Sequence, residues 1–435
     1  MIEFGAATQD ITNDIGRPVQ GASVNQVAET IRDPMEANVL AIRDGSTMAI
    51  IVGCDVVALE KVVHVAIRDA VAEAVGCQPT DVQITCSHTH AGPSVLKTSH
   101  FKDIDQAYVE RLPAWIADAA KRAVDAMAPA QIRLAKGELA LGYNRRCCFD
   151  TGQHHMHMAR GAGEFTGIEG PADPTHIALY VQREDGSPVA VLHSNSAHPT
   201  MMYGANYYSS EYPGEARAII RRAIGEIPVV YLNGPFGDVA PQDPEVGAGL
   251  GGVARVMEMG ARLAGETLSL ISNAPLRPAT GLGHEHTIVT VPHRLPSEKL
   301  RDEAIATLER VNAGESVSAW DTMWAHGRSY AWKMLSHDSV EEMPVHVVRL
   351  DDLAMVFQPT ELYCQFGVDL KRRSLAPMTA VADCSNSFSG YCPTYAGYLG
   401  GGYSGDPTFW TRLDPKAGYQ IVDEASRMIH TLWKA

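Results

Sequence analysis

The sequence predicts a mixed α/β fold in which a β-sheet core, of one or possibly two sheets, is flanked by helices. Apolar strand-like runs alternate with amphipathic helical segments along most of the 435 residues. Turn signals at 44–45 (DG) and 184–187 (EDGS) separate two pairs of these runs, which is typical of β-hairpins. Because hairpins and helical crossovers occur together, the sheet should contain both antiparallel and parallel strands.

The predicted elements follow one another without a visible boundary. Strands are expected in NVLAIRD, TMAIIVGCDVVAL, DVQITCS, AQIRLAKGEL, THIALYVQ, PVAVLHSN, PVVYLNG, HTIVTVPH, PVHVVRL and LAMVFQP. Helices are expected over 61–76, 104–127, 213–224, 252–271 and 360–371, and a last one in YQIVDEASRMIHTLW. Neither an internal repeat nor a low-complexity linker interrupts the pattern, so residues 1–435 are expected to form a single domain.

Composition excludes several classes of protein. The chain has 51 acidic and 36 basic residues without a long run of either sign, which argues against nucleic acid or an anionic membrane as partner. No apolar run reaches the ~20 residues that cross a bilayer, and the start MIEFGAATQD does not resemble a signal peptide. We therefore expect a cytoplasmic protein with a small-molecule substrate, either monomeric or a homo-oligomer. The eight cysteines contain no CxxC pair and are expected to be reduced.

Two histidines end one of the predicted strands. The segment ITCSHTHAGP carries His88 and His90, and side chains two apart on an extended chain point to the same side. The ends of strands are where α/β proteins gather their chemistry. Neutral imidazole is the commonest metal ligand, and a catalytic zinc takes three protein ligands and a water. The pair fits either a zinc site or two hydrogen-bonded histidines.

Other predicted strands also end in polar side chains. His198 follows the strand in PVAVLHSN, and Asn233 and Asp238 lie in the glycine-containing turn after PVVYLNG. Glu361 is expected in the first turn of the helix over 360–371. The segment SNSFSGYCPTYAGYLGGGYSG places four tyrosines among glycines, which is typical of a loop that lines a pocket.

Taken in order, these segments resemble a known family. The segments FGAATQDITNDIGRPVQG, SHTHAGP, GYNRRCC, AHPTMM with SSEYPGEA, NGPFGDVAP, QPTELY and GYCPTYAGYLGGGY are similar to signature blocks of the neutral/alkaline ceramidases, which are zinc amidohydrolases. The likeness spans residues 4–405 and implies the fold of the ceramidase catalytic domain. It also implies cleavage of a C–N amide bond by zinc-activated water. The zinc ligands that the resemblance implies are His88, His198, Glu361 and Tyr391. The implied catalytic residues are His90, Arg145, Tyr398 and Tyr403.

The chain departs from the family in ways that concern the substrate. Ala240 stands where the ceramidases carry a serine proposed as nucleophile, and the C-terminal immunoglobulin-like domain of the large members is not expected here. The polar segment SVLKTSHFKDIDQAY, the lack of an export signal and the lack of an evident apolar or aromatic surface favour a small polar amide or cyclic amide as substrate. The alternatives are a ceramidase or N-acyl-lipid amidase, a TIM-barrel amidohydrolase, and a zinc-containing binding protein without catalysis.

Some polar residues have no counterpart in the family blocks. The segment TGQHHMHMARGAGEF carries His154, His155, His157 and Arg160, and fits a solvated loop, a substrate lid or an additional metal site. Asp55 ends a predicted strand, where it is expected either to cap the strand or to orient a zinc histidine.

Overall fold

The computed structural model describes residues 1–21, 26–97, 104–159, 161–246, 251–335 and 339–434. The strands in these ranges are β1 (Glu3–Asp10), β2 (Thr30–Ile31), β3 (Glu36–Asp44), β4 (Thr47–Cys54), β5 (Val82–Cys86), β6 (Ala128–Pro129), β7 (Gln131–Glu138), β8 (Tyr143–Asn144), β9 (Cys147–Phe149), β10 (His154–His155), β11 (Phe165–Ile168), β12 (Thr175–Gln182), β13 (Pro188–Asn195), β14 (Tyr207–Tyr208), β15 (Val229–Asn233), β16 (Val239–Ala240), β17 (Arg277–Pro278), β18 (Leu282–Pro292), β19 (Val340–Leu350), β20 (Leu353–Phe357), β21 (Thr360–Leu362), β22 (Met378–Ala382) and β23 (Gly390–Cys392). The α-helices are α1 (Lys61–Val75), α2 (Gln106–Val109), α3 (Leu112–Asp125), α4 (Glu211–Ile224), α5 (Gly252–Asn273), α6 (Glu298–Asn312), α7 (Ala319–Met334), α8 (Cys364–Arg373), α9 (Tyr395–Gly400) and α10 (Ala417–Lys434).

Three principal sheets organise the strands, with the orders β5-β4-β3-β1-β6, β15-β13-β12-β7-β17 and β18-β19-β20-β22. Most neighbouring strands are antiparallel, but each sheet contains one parallel pair: β4 with β5, β13 with β15, and β20 with β22. A helix connects the strands of each pair, namely α1, α4 and α8. The predicted mixed α/β class is therefore confirmed. The number of principal sheets is larger than the one or two that were expected, and this topology excludes the TIM-barrel alternative.

The central core lies where the inner faces of the three sheets meet. Phe4 and Ile51 of the first sheet, Leu192 and Leu232 of the second and Phe357 of the third are fully buried in one cluster. Residues that alternate with these point to the opposite faces, which are covered by α1 and α3, by α4 and α5, and by α8 and α10 respectively. Burying each large apolar side chain contributes roughly 1.5–3 kcal/mol, so the sheets are held together mainly by this shared core.

Several element boundaries differ from the prediction. The helix expected over 104–127 is split into α2 and α3, and Pro113 lies in the first turn of α3. The helix expected over 360–371 is preceded by β21 and begins only at Cys364, so Glu361 lies on a strand. Helices α6 and α7 were not predicted, although Ser297 and Ser318 cap their first turns through side-chain oxygens.

None of the described helices combines the length and the apolar character that crossing a bilayer requires. The eight cysteines are all unpaired, and most of them are buried. The compartment and the oligomeric state stay predictions.

Replacing His64 with leucine should stabilise the protein, and should do so more strongly in acid. His64 lies on α1 with 1% of its surface exposed, and neither of its ring nitrogens has a hydrogen-bond partner among the residues that the structure describes. Burial, and then the charge of Arg68, lowers the pKa of His64 to about 3. Because the unfolded-state pKa is about 6.5, the stability linked to this group is fully present above that pH. It is lost as the pH falls towards the folded-state pKa.

Urea unfolding at pH 7 and pH 5.5 tests this expectation. The free energy of unfolding of His64→Leu should exceed that of the wild type at both values, and the difference should widen by about 1 kcal/mol at the lower pH. The matched control is His430→Leu, at a partly exposed histidine of α10. Equal pH slopes for the wild type and His64→Leu would show that His64 does not contribute to acid sensitivity.

Candidate metal centre

Three polar side chains, each located just after a strand of a different principal sheet, lie close together. His88 follows β5, His198 follows β13, and Glu361 lies on β21, directly after β20. Each of these strands belongs to the parallel pair of its sheet or continues from it. Polar groups commonly gather at the carboxyl ends of strands in helix-connected parallel pairs. The three helical crossovers thus direct three distant parts of the chain to one site.

His88 takes an unusual backbone conformation. Its φ is 69°, in the left-handed region that costs a non-glycine residue roughly 1 kcal/mol or more. Its backbone N–H donates to the Val56 carbonyl at 3.0 Å, and its Nδ1 lies 2.6 Å from the Val57 carbonyl. The rings of His88 and His90 meet edge to face with centroids 5.0 Å apart. The two histidines are therefore close, as predicted, but a left-handed turn brings them together rather than extended alternation.

Hydrogen bonds fix the orientation of the two buried imidazoles. His198 Nδ1 lies 2.8 Å from the Phe236 carbonyl and 3.1 Å from the Val239 carbonyl. Since a carbonyl only accepts, the proton of each neutral ring, in His88 as in His198, belongs on Nδ1 and the lone pair on Nε2. Burial lowers the pKa of both His88 and His198 well below the ordinary value, so both rings are neutral. A neutral imidazole with an exposed Nε2 lone pair is the form that binds a metal.

Glu361 completes a set of electron-pair donors that face one another. Its Oε2 lies 3.0 Å from His198 Nε2 and 3.6 Å from His88 Nε2. Ligands about 2.0–2.1 Å from a tetrahedral zinc lie roughly 3.4 Å from each other, so these spacings suit a cation between the three atoms. Tyr391 pairs with Glu361 across β21 and β23, and its ring stacks on His198 with centroids 6.4 Å apart. Burial, followed by the charge of Glu361, raises the pKa of the Tyr391 hydroxyl.

His90 is close enough to be a further ligand. Among the described residues, the ligand atoms of His88, His90 and His198 all lie within 4.8 Å of one another, a group that could hold a metal ion. His90 Nδ1 lies 3.0 Å from the Gly21 carbonyl, so its Nε2 is the basic nitrogen. Its assignment as a catalytic residue beside the metal stays a prediction.

Arg145 lies at the same site, next to β8. Its Nη2 donates to the Gly237 carbonyl at 2.9 Å and to the Tyr391 hydroxyl at 3.2 Å, and lies 3.1 Å from His198 Nε2. The side chain is buried. The structure thus brings the predicted arginine to the predicted ligands and fixes its guanidinium through a backbone carbonyl.

Of the remaining predicted residues, Tyr403 lies at the site, whereas Tyr398 and Asp55 do not. Tyr403 lines the cavity described below, and its ring meets that of Tyr391 at 5.7 Å. Tyr398 does not line this cavity, because its hydroxyl donates to the Leu413 carbonyl at 3.1 Å and Arg294 covers its ring. Asp55 accepts hydrogen bonds from Arg217 and from the backbone of Glu36. The hypothesis that Asp55 orients a zinc histidine is wrong, since backbone carbonyls perform that task.

A buried carboxyl group that was not predicted from the sequence connects two segments of the site. Asp383 follows β22, is fully buried, and accepts the backbone N–H groups of Phe236 and Leu362, each at 3.0 Å. Phe236 supplies a carbonyl to His198, and Leu362 is next to Glu361. Asp383 therefore connects the segments that hold two of the candidate ligands. Its position at a strand end was the available signal, but the sequence does not show which distant N–H groups it reaches.

A cavity of about 1140 Å³ opens beside these residues, slightly larger than ordinary ligand pockets of about 300–1,000 Å³. Its walls come from the metal-site residues, the segment 151–159, the helices α6 and α7, and the segment 399–406. Ala240 also lines it and offers no hydroxyl there. Four apolar or aromatic side chains on its walls are at least half exposed. They are Met158, Tyr203, Trp320 and Leu399.

The histidine-rich segment forms one wall of this cavity. His154, His155 and His157 all line it, and His154 Nδ1 lies 2.5 Å from Glu169 Oε2. Because Thr151, Gly152 and Gln153 of the same segment are exposed, the solvated loop and the substrate lid both stay predictions. Arg160 lies outside the described residues.

The fold is that of the ceramidases. The structure of neutral ceramidase from Pseudomonas aeruginosa matches with a TM-score of 0.76 and 16% sequence identity, over 100% of this chain and 75% of that one. A structure of ceramidase complexed with C2 matches with a TM-score of 0.75 and 15% identity over the same shares. No family model matches the chain, and no curated protein sequence does. The predicted resemblance is thereby confirmed at the level of the fold.

Proposed function

We propose that the protein is a zinc-dependent hydrolase of C–N amide bonds and that residues 1–435 form one catalytic unit. The observation that carries this proposal is the contact of Glu361 Oε2 with the Nε2 atoms of His88 and His198. Two neutral imidazoles, a carboxylate and a phenol form a nitrogen and oxygen donor set that suits zinc. The ceramidase fold supports the same chemistry.

Zinc at this site would lower the pKa of a coordinated water to about 7 and polarise a substrate carbonyl. His90, through Nε2, would accept a proton from the attacking water and deliver it to the departing amine nitrogen. The Arg145 guanidinium, held by the Gly237 carbonyl, would stabilise negative charge that develops on the carbonyl oxygen. Tyr403 would pack against the substrate where it enters the site.

The residue at position 240 bears on how the amide is attacked. Ala240 lies on β16, lines the cavity and carries no nucleophilic group. The attack is therefore expected to be made by water directly. No covalent acyl-enzyme should form on the way to the products.

The cavity changes the expectation for the substrate. A small polar amide was favoured partly because no apolar or aromatic surface was evident in the sequence. The half-exposed side chains on the walls, Trp320 and Leu399 among them, contradict that premise. The volume also exceeds what a small lactam fills. We therefore propose an amide that combines an apolar group with a polar end. A ceramide or another N-acyl lipid is the second candidate, which the exposed apolar side chains favour.

Turnover of a panel of amides tests the function. The zinc-loaded protein should hydrolyse at least one of a set comprising N-acyl amino acids, lactams and C12 and C16 ceramides. A chelator should abolish this activity and added zinc should restore it, and mass spectrometry during turnover should detect no acyl adduct. Stoichiometric zinc without turnover of any amide or ester would favour the non-catalytic binding protein. A trapped adduct would contradict direct attack by water.

A further inference from the structure

Helix α7 contributes to the cavity a charged group that has no hydrogen-bond acceptor and no ion-pair partner among the described residues. Arg328 lines the cavity, and its Nε is buried without a hydrogen-bond acceptor. In the part of the chain that the structure describes, no carboxylate forms an ion pair with it. Its guanidinium lies over the ring of Trp324, with Cζ 4.8 Å from the centroid. A guanidinium held on an aromatic face and left without an acceptor is prepared to bind an oxyanion.

The other arginines of the cavity are already engaged. Arg145 donates to the Gly237 carbonyl and to Tyr391, and Arg310 donates to Glu315 at 2.8 Å. Arg328 thus differs from both in the described structure. An unpaired guanidinium gains most from a carboxylate, because the planar fork of N–H groups matches two carboxylate oxygens.

The acidic side chains of the cavity do not neutralise Arg328. Asp321, on the same helix, accepts the hydroxyl of Ser318 at 2.7 Å. Glu303, on α6, pairs with Lys299 at 3.8 Å. Asp406, in the segment after α9, forms no ion pair with Arg328 within the described ranges. The positive charge at Trp324 is therefore available to a ligand.

A series of ring contacts connects Arg328 to the metal centre. Trp324 contacts Trp320 with centroids 6.1 Å apart, Trp320 contacts Tyr403 at 5.9 Å, and all three rings line the cavity. Tyr403 in turn contacts the candidate ligand Tyr391 at 5.7 Å. A ligand whose amide lies at the metal centre can therefore extend along aromatic surface towards the guanidinium. This arrangement suits an apolar group between an amide and an anionic end.

We propose that Arg328 binds a carboxylate of the substrate, so that the substrate is an anionic amide in which an apolar group separates the amide from the carboxylate. This inference rests on the proposed amide hydrolysis for its reaction, but the carboxylate site stands on the contacts of Arg328 alone. A hydrogen-bonded charge pair of this kind should change affinity or kcat/KM by about 10- to 100-fold.

Paired compounds that differ in one carboxylate test the proposal. The substrates are 8-acetamidooctanoate and N-heptylacetamide, and the probes for calorimetry are 3-phenylpropionate and 3-phenylpropanol, which contain no amide. The zinc-loaded wild type should prefer the acid of each pair by about 10-fold or more. Arg328→Gln should remove the preference, mainly through KM, and Arg328→Lys should retain part of it. The control is Arg301→Gln, because Arg301 also lies over a tryptophan, Trp332, but outside the cavity. This variant should keep the preference.

The outcomes separate the two proposals. Binding of 3-phenylpropionate that depends on Arg328, without turnover of any amide, would support the carboxylate site and contradict the hydrolase. Amide turnover without preference for the acid, or an acid preference that survives in Arg328→Gln, would overturn the carboxylate site. If the carboxylate bound at the metal instead, the preference for the acid would survive in Arg328→Gln.

Discussion

His198→Ala should abolish both zinc binding and amide hydrolysis while the protein stays folded. The Nε2 of this histidine faces Glu361 at 3.0 Å, and its loss removes one of the donors that surround the proposed metal. Zinc should fall from one ion per chain to a small fraction, measured by elemental analysis after dialysis. Because metal polarisation of a carbonyl is worth several kcal/mol, kcat/KM should fall by about 1,000-fold or more.

The control for this variant is His193→Ala. His193 lies on β13, is fully buried, and contacts Thr267 Oγ1 at 2.9 Å through Nδ1 rather than the metal centre. This variant should lose stability and keep its zinc. A stoichiometric zinc content in His198→Ala, with circular dichroism unchanged, would refute the assignment of His198 as a ligand.

His90→Ala should lower kcat by about 10²- to 10⁴-fold, the range expected when a proton-transfer group is removed. The protein should retain most of its zinc, because His88, His198 and Glu361 remain. Zinc content and the pH profile of kcat are the measurements, and the limb that reports the lost base should disappear from the profile. Loss of zinc comparable to that in His198→Ala would instead show that His90 is a ligand. Glu361→Gln, measured alongside, would then show whether the carboxylate is needed for binding.

Much of the fold and of the candidate site follows from local patterns. The hairpin of β3 and β4 has its turn where Asp44-Gly45 predicts it, and α1 has nearly the predicted bounds. His88 and His198 were each expected just after an apolar strand, and each of them follows one. These features depend on periodicity and turn chemistry within short segments, which a sequence displays directly.

What the sequence does not show depends on pairing between distant segments. Glu361 lies on a strand because β21 pairs with β23, about thirty residues later, which overrides the helical pattern around it. The role of Asp383 depends on which N–H groups the folded chain brings to it. Helix α7 presents Arg328 to the cavity only after it packs on the rest of the protein. In each case local propensity does not determine the tertiary contact.

The side chains of the candidate metal centre come from segments that follow strands of three different sheets, and this affects both the folding of the protein and its lifetime. Only a chain that includes the whole stretch 88–361 contains His88, His198 and Glu361 together. Tight zinc binding should therefore occur only after the three sheets have assembled. Nascent chains and proteolytic fragments should hold the ion weakly. If the native state alone binds zinc tightly, free zinc at 100 times Kd adds about 2.7 kcal/mol to the free energy of unfolding. Zinc supply in the cell would then set the lifetime of the protein as well as its activity.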